Sequence, residues 1–296
     1  MKKTLLSLLT TVVLFASCKK DDDPATFIQL QKIENEDAAY NFQYNDQHLP
    51  TKIEVLSPAD ESATTLSLTR YVTFTYENGV PVKAEVYRKE GVMYRNNVLS
   101  FSVDGQNRIV KATVKFLNPD GSEYRTQVRD FSFSNDGKLT KIVYDQNLED
   151  AWKFEYDANG NYKESPYMSD NPPNKYENST EIKYDNGINP FAVNGLGLFM
   201  MVAFDGDLFD ADVLLSDNFP ISNKYVTTYT YTNPSNQQKD ITTYTDLNTF
   251  VITRDENGGI RKIDNTFSSE TKFNGTVQDS DSRTTSINVT CVKKNR

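Results

Sequence analysis

Phe131-Ser-Phe133-Ser-Asn-Asp136-Gly137-Lys-Leu139-Thr-Lys141-Ile142 and Phe154-Glu-Tyr156-Asp157-Ala-Asn159-Gly160-Asn-Tyr162 are two copies of one pattern. Two aromatics spaced by one residue put both rings on one face of a strand. The Asn, Asp and Gly that follow supply a turn, because Asp bonds local backbone and Gly accepts positive φ. The chain then returns with an apolar residue, so each copy reads as one β-hairpin.

Taking the second aromatic as an anchor extends the pattern along the chain. A Lys falls eight residues after the anchor and an apolar residue nine after it. Tyr44 has Lys52 and Ile53, Val103 has Lys111 and Ala112, and Phe133 has Lys141 and Ile142. Arg254 takes the anchor place before Lys262 and Ile263. Tyr76, with Asn78-Gly79 and Lys83, is one residue shorter, while Tyr156 and Tyr184 keep the aromatic and the turn without the Lys. Tyr231 keeps Lys239 around a Pro-Ser-Asn turn. Eight hairpins in series predict an antiparallel meander of about sixteen strands over residues 27–296. Open twisted sheets rarely exceed ~10 strands. The expected fold is therefore all-β, one large sheet strongly curved or closed into a barrel, with two stacked sandwiches as the alternative.

One stretch breaks the pattern. Within an insertion over 188–224, Leu196, Phe199, Met200, Ala203 and Phe204 follow helical spacing. The run from Leu196 to Phe204 is almost wholly apolar, so a buried helix is expected, with a short turn over Leu208 to Leu215. A closed sheet of this size leaves a lumen too wide for its own side chains. The helix is the only candidate to fill it. A mobile lid or lipid-contacting element is the alternative.

The N-terminus fixes an expected address. Lys2 and Lys3 precede an apolar run from Leu5 to Phe15, which is too short to span a bilayer needing roughly 20 residues. Leu14-Phe15-Ala16-Ser17-Cys18 resembles a lipobox, so residues 1–17 read as a signal peptide and Cys18 as the acylated N-terminus. Residues 18–26 read as a flexible tether. Its Lys19-Lys20-Asp21-Asp22-Asp23 resembles the surface-export signal of Bacteroides-type lipoproteins. The expected location is the outer membrane, lipid-anchored and surface-exposed, with the periplasmic face as the alternative.

The repeats resemble YD repeats, best at Tyr156-Asp157-Ala158-Asn159-Gly160 and Tyr184-Asp185-Asn186-Gly187. Together with Cys18 they resemble a family of Bacteroides-type lipoproteins of unknown function with a porin-like fold. The resemblance implies a β architecture and an envelope location, and it supplies no catalytic residue.

Composition limits the function. Seventeen Tyr and 17 Phe favour strands. The net charge is −9, and removal of Lys2 and Lys3 with the signal takes it to −11. An acidic chain disfavours nucleic acid and anionic lipid. With Cys18 acylated, Cys291 has no partner. His48 is the only His and falls in a turn, where exposure is expected. One His and one free thiol exclude a typical zinc site, and no Gly-x-Ser-x-Gly elbow is present. Asp157-x-Asn159-Gly160 and Asp255-x-Asn257-Gly258 match pieces of a calcium loop, but turn chemistry explains them. No cofactor and no metal are expected. The candidate ligand residues are Tyr229 and Tyr231, which alternate with Thr228, Thr230 and Thr232 to give one aromatic and one hydroxylic strand face. Rings that merely pack the inner face are the plain alternative. Expected partners are the membrane through the lipid anchor and a glycan or protein ligand. The reading is a non-enzymatic binding protein. The alternatives are an envelope or polysaccharide hydrolase using a carboxylate pair, and a purely structural envelope protein.

Overall fold

The computed structural model describes residues 26–58, 65–164, 167–192, 196–204 and 211–295. Residues 1–25, including Cys18, the side chains of Ala203 and Phe204, and Leu208 at the start of the expected second turn lie outside them. Among the described residues there are eighteen strands, sixteen of them in one antiparallel sheet. Strands β1 (Thr26–Glu34) to β10 (Asn147–Lys153) follow one another as neighbours, and so do β13 (Tyr167–Asn171) to β18 (Thr276–Asn295). The join is between β1 and β18, so the first and last described strands meet in mid-sheet. Thr26, assigned above to the tether, already pairs with Asn295.

The repeat is physically legible here. In five copies the anchor ends a strand, five residues turn, and the next strand starts at the anchor plus six. The first turn residue donates its N–H to the carbonyl of the fifth, as in Asp157 to Asn161 (2.9 Å) and Asp255 to Gly259 (2.8 Å). Its side-chain oxygen accepts backbone N–H groups: Asp157 from Asn159 and Asn161, Asp255 from Asn257 and Gly259. The fourth turn residue sits at positive φ, from 60° at His48 to 88° at Gly137. His48 is half-buried rather than exposed, because its ring meets Phe27 edge-on at 5.1 Å.

Alternation then sorts the return strand. Ile53, Ala84, Ala112, Ile142 and Ile263 face the core. The lysines before them point to the convex side, where Lys52 meets Glu54 and Lys83 meets Glu85. Anchor tyrosines reach back across the sheet. Tyr76 donates its hydroxyl to the Pro50 carbonyl, Tyr156 to Leu139 and Tyr184 to Tyr162 (2.7 Å each), and Tyr44 to Leu30 (2.6 Å).

One copy departs from the expected hairpins, and another, at Tyr231, makes its hairpin at the other end of the sheet. Tyr184-Asp185-Asn186-Gly187 makes no tight turn; β14 (Asn174–Ile188) runs straight through it. The chain then leaves as the insertion and returns in β15 (Asn218–Thr232). Asp185 instead accepts the guanidinium of Arg254. Tyr231 turns the chain into β16 (Lys239–Arg254) at the opposite rim from the other copies. A period of two cannot tell one strand end from the other.

The insertion carries α1 (Leu196–Phe204) and α2 (Ala211–Leu215). Leu196, Phe199, Met200, Met201 and Leu214 are buried. A Cβ on Gly197 would lie 1.8 Å from the Leu214 carbonyl oxygen, so glycine there lets the two helices touch. Phe199 packs against Phe74 of β4 (Leu66–Glu77) at 5.1 Å. Seven strand-to-strand steps separate β15 from β4, roughly 34 Å along the sheet at ~4.8 Å each. A nine-residue helix is only about 13 Å long. The sheet must therefore curl around the insertion, which fills its concave side.

Between the edges β10 and β13 lies a separate hairpin, β11 (Glu155–Tyr156) and β12 (Tyr162–Lys163). It straps the seam at the turn rim. Tyr156 bonds β9 (Leu139–Tyr144) on one side. On the other, Ser216 accepts the Tyr162 N–H and Asn161 accepts the Asn218 N–H (2.9 Å each). At the far end β10 and β13 do not pair with each other.

Candidate functional site

Beyond the plug, strands β14 to β18 continue as a long curved wall. Its facing residues follow from register. Asn223 is buried against Asp212 of α2, its Nδ2 donating to Asp212 Oδ2 at 2.9 Å, so its strand parity faces inward. Tyr225, Tyr229 and Tyr231 share that parity. Their cross-strand partners, Thr180, Tyr176 and Asn174 on β14 and Asp246, Thr242 and Asp240 on β16, therefore face inward too. Tyr244 joins them opposite Thr227, and Phe273 opposite Thr242.

Tyr229 and Tyr231 thus sit on one face, as the alternation requires, and that face is concave. Concave does not mean covered here. Tyr176, Tyr229, Tyr244 and Phe273 are 37–49% exposed, while Tyr231 is half-buried. The Tyr229 hydroxyl bonds Asn174. Tyr225 lies deeper; its hydroxyl meets both Glu164 and Asn223, and burial pushes its pKa well above the ordinary phenol value. Sequence reasoning missed Tyr176 and Phe273, which lie about 50 and 40 positions from Tyr229 and reach it only through strand pairing.

The wall is also polar and acidic. Asp240, Asp246, Asp279 and Asp281 share the inward parity. Arg283 stacks on its cross-strand neighbour Phe267 at 5.2 Å. The convex face has the opposite chemistry to a lipid-facing barrel. It carries Lys–acid pairs such as Lys175–Glu177 (2.9 Å), Lys262–Asp264 (2.7 Å) and Lys272–Glu270 (2.5 Å) among rows of Ser and Thr. A Lys or Arg at mid-bilayer on a barrel's lipid face costs about 2–4 kcal/mol. These strands therefore face water on the outside and hold their aromatic side chains inside.

Other candidates resolve into structure. Asp157 and Asp255 each spend an oxygen on two backbone N–H groups. Among the described residues no three His, Cys, Asp or Glu side chains come together as a metal cluster. A surface hollow of about 620 Å³ at the turn rim is lined by Arg254, Asp255, Arg261 and Cys291, far from the tyrosine wall. Burial pushes the Cys291 thiol up to about 11, which keeps it protonated and unreactive at neutral pH.

No protein-family model matches the chain, and no curated protein matches it. Among solved structures, the crystal structure of a porin-like protein from Bacteroides uniformis ATCC 8492 aligns with 90% of this chain and 96% of that one. The TM-score is 0.50 and the identity 13%. The TcdB2-TccC3-TEV structure aligns at a TM-score of 0.29 and 10% identity, over 83% of this chain and 13% of that one. At these identities the likeness to the porin-like protein is one of fold: this chain is a porin-like all-β meander.

Proposed function

We propose that the protein is a lipid-anchored envelope protein that binds a hydroxyl-rich glycan on its concave tyrosine wall without transforming it. The observation that carries this reading is the exposure of Tyr176, Tyr229 and Tyr244 on a face that elsewhere in the sheet is packed shut. Aromatic faces stack on sugar rings, and the interleaved Thr, Asn and Asp side chains offer hydrogen bonds to hydroxyls. A purely structural protein has no need of an open concave face. The anchor is Cys18, and the envelope location accords with the fold shared with the Bacteroides porin-like protein. The curved sheet carries its charged pairs on the convex side, the reverse of a membrane pore, which supports a place beside the bilayer on a tether.

The test is a glycan array probed with the mature protein and with the Tyr229→Ala/Tyr231→Ala double variant. Hits lost in the variant support the site. No hits, or hits that the variant leaves unchanged, end it, and cleavage of any arrayed glycan transfers the weight to a hydrolase. Fatty-acid labelling lost in Cys18→Ala supports the anchor; equal labelling refutes it.

A further inference from the structure

Four buried side-chain polar atoms of the described residues have no hydrogen-bond partner, and three gather in one belt: Glu164 Oε2, Asn223 Oδ1 and Asn265 Oδ1. Asn223 of β15 pairs directly with Asn248 of β16, whose Oδ1 accepts Asn265 Nδ2 from β17 (Ile260–Phe273) at 3.3 Å. Tyr225 joins Glu164 to Asn223. Asn223 is only 3% exposed, and its amide is fixed by donation to Asp212. The belt lies where the plug ends and the tyrosine wall begins.

All three orphans are acceptors. A buried acceptor left without a partner loses its hydration and gains nothing in return, so what completes this belt must bring donors. A sugar hydroxyl or an ammonium supplies them; a carboxylate, phosphate or sulfate does not. Charge narrows the choice. Glu164 is in the belt, Asp246 is the cross-strand partner of Tyr225, and Asp279 and Asp281 lie on the same face two strands away. On this stretch of the wall Arg283 is the one cation among the described inward residues, and it is stacked on Phe267. A face lined by one sign of charge concentrates the opposite sign.

We infer that the acceptor belt at Glu164, Asn223 and Asn265, set in an acidic wall, is the specificity floor of the site and selects an amine-bearing saccharide. The inference rests on the glycan reading above and names the ligand class within it. The sugar ring stacks on Tyr229 and Tyr244, its hydroxyls meet the amide oxygens, and its ammonium faces Glu164 and Asp246.

Calorimetry at pH 5.5 tests this with two oligosaccharides of equal length, one of β-linked glucosamine and one of N-acetylglucosamine, and with spermine as a charge-only control. The expected result is at least tenfold tighter binding of the glucosamine oligomer than of either other probe. Asp246→Asn, an exposed position that leaves the fold intact, should shrink that preference, and Asn223→Leu/Asn265→Leu should weaken both saccharides. Equal affinity for the two saccharides overturns the amine selection while leaving the tyrosine wall standing. Spermine binding as tightly as glucosamine overturns it as mere charge attraction. A preference that survives Asp246→Asn together with the double asparagine variant places the selectivity elsewhere. Binding of other neutral glycans but of neither test saccharide also refutes it, whereas the absence of all glycan binding refutes the broader reading.

Discussion

The anchor position of each repeat shows what one hydroxyl does. Tyr44, Tyr76, Tyr156 and Tyr184 each close a backbone carbonyl of the preceding hairpin, and the copy at Phe133 does without. Tyr76→Phe keeps the ring against Phe199 and removes only the bond to Pro50, so it should lower unfolding stability by about 1 kcal/mol in a urea titration. An unchanged midpoint would mean the ring alone holds the joint. The Tyr/Phe difference among copies was visible in the sequence. Its meaning was not, because the acceptor lies 26 residues upstream of Tyr76.

Among the elements, the insertion departs most from the repeat and is the most constrained. The run Leu196 to Phe204 could be read as buried from its composition, and of its described side chains Leu196, Phe199, Met200 and Met201 are buried. Met200 is 1% exposed. Met200→Ala should therefore destabilise by about 2–5 kcal/mol, while Val251→Ala, on an exposed convex position, should stay within about 0.5 kcal/mol. Thermal melts of the two variants compare them directly, and similar losses would contradict the plug. The rim at which Tyr231 turns the chain belongs to this scale as well. The sequence shows the hairpin, while β14 to β18 run 14 to 20 residues and only the order of strands decides which rim its turn reaches.

For the molecule as a whole, the buried tyrosines predict an alkaline limit. Burial raises the pKa of Tyr44, Tyr76, Tyr156, Tyr184 and Tyr225 well above 10, and Tyr162 to about 12. The folded chain then keeps protons that the unfolded chain releases near pH 10. The stabilisation is complete below pH 10 and falls as pH rises above it. Phenolate absorbance for these residues should rise together with loss of β circular dichroism above pH 10. Ionisation near pH 10 with the fold intact would sink the prediction.

The sequence by itself determined the hairpin unit, the sidedness of Lys and Ile at the return strand, the turn chemistry of Asp157 and Asp255, and the burial of the insertion. All of these are local, spanning ten residues or fewer, so period and turn residues report them. The tertiary structure decided the rest. It paired β1 with β18, set the seam at β11–β12, turned the apolar face inward, and gathered Tyr176, Tyr229, Tyr244 and Phe273 on one open wall. Those outcomes depend on which strands lie side by side and how far the sheet curls around its plug. Pairing between distant segments leaves no mark in either segment's own pattern.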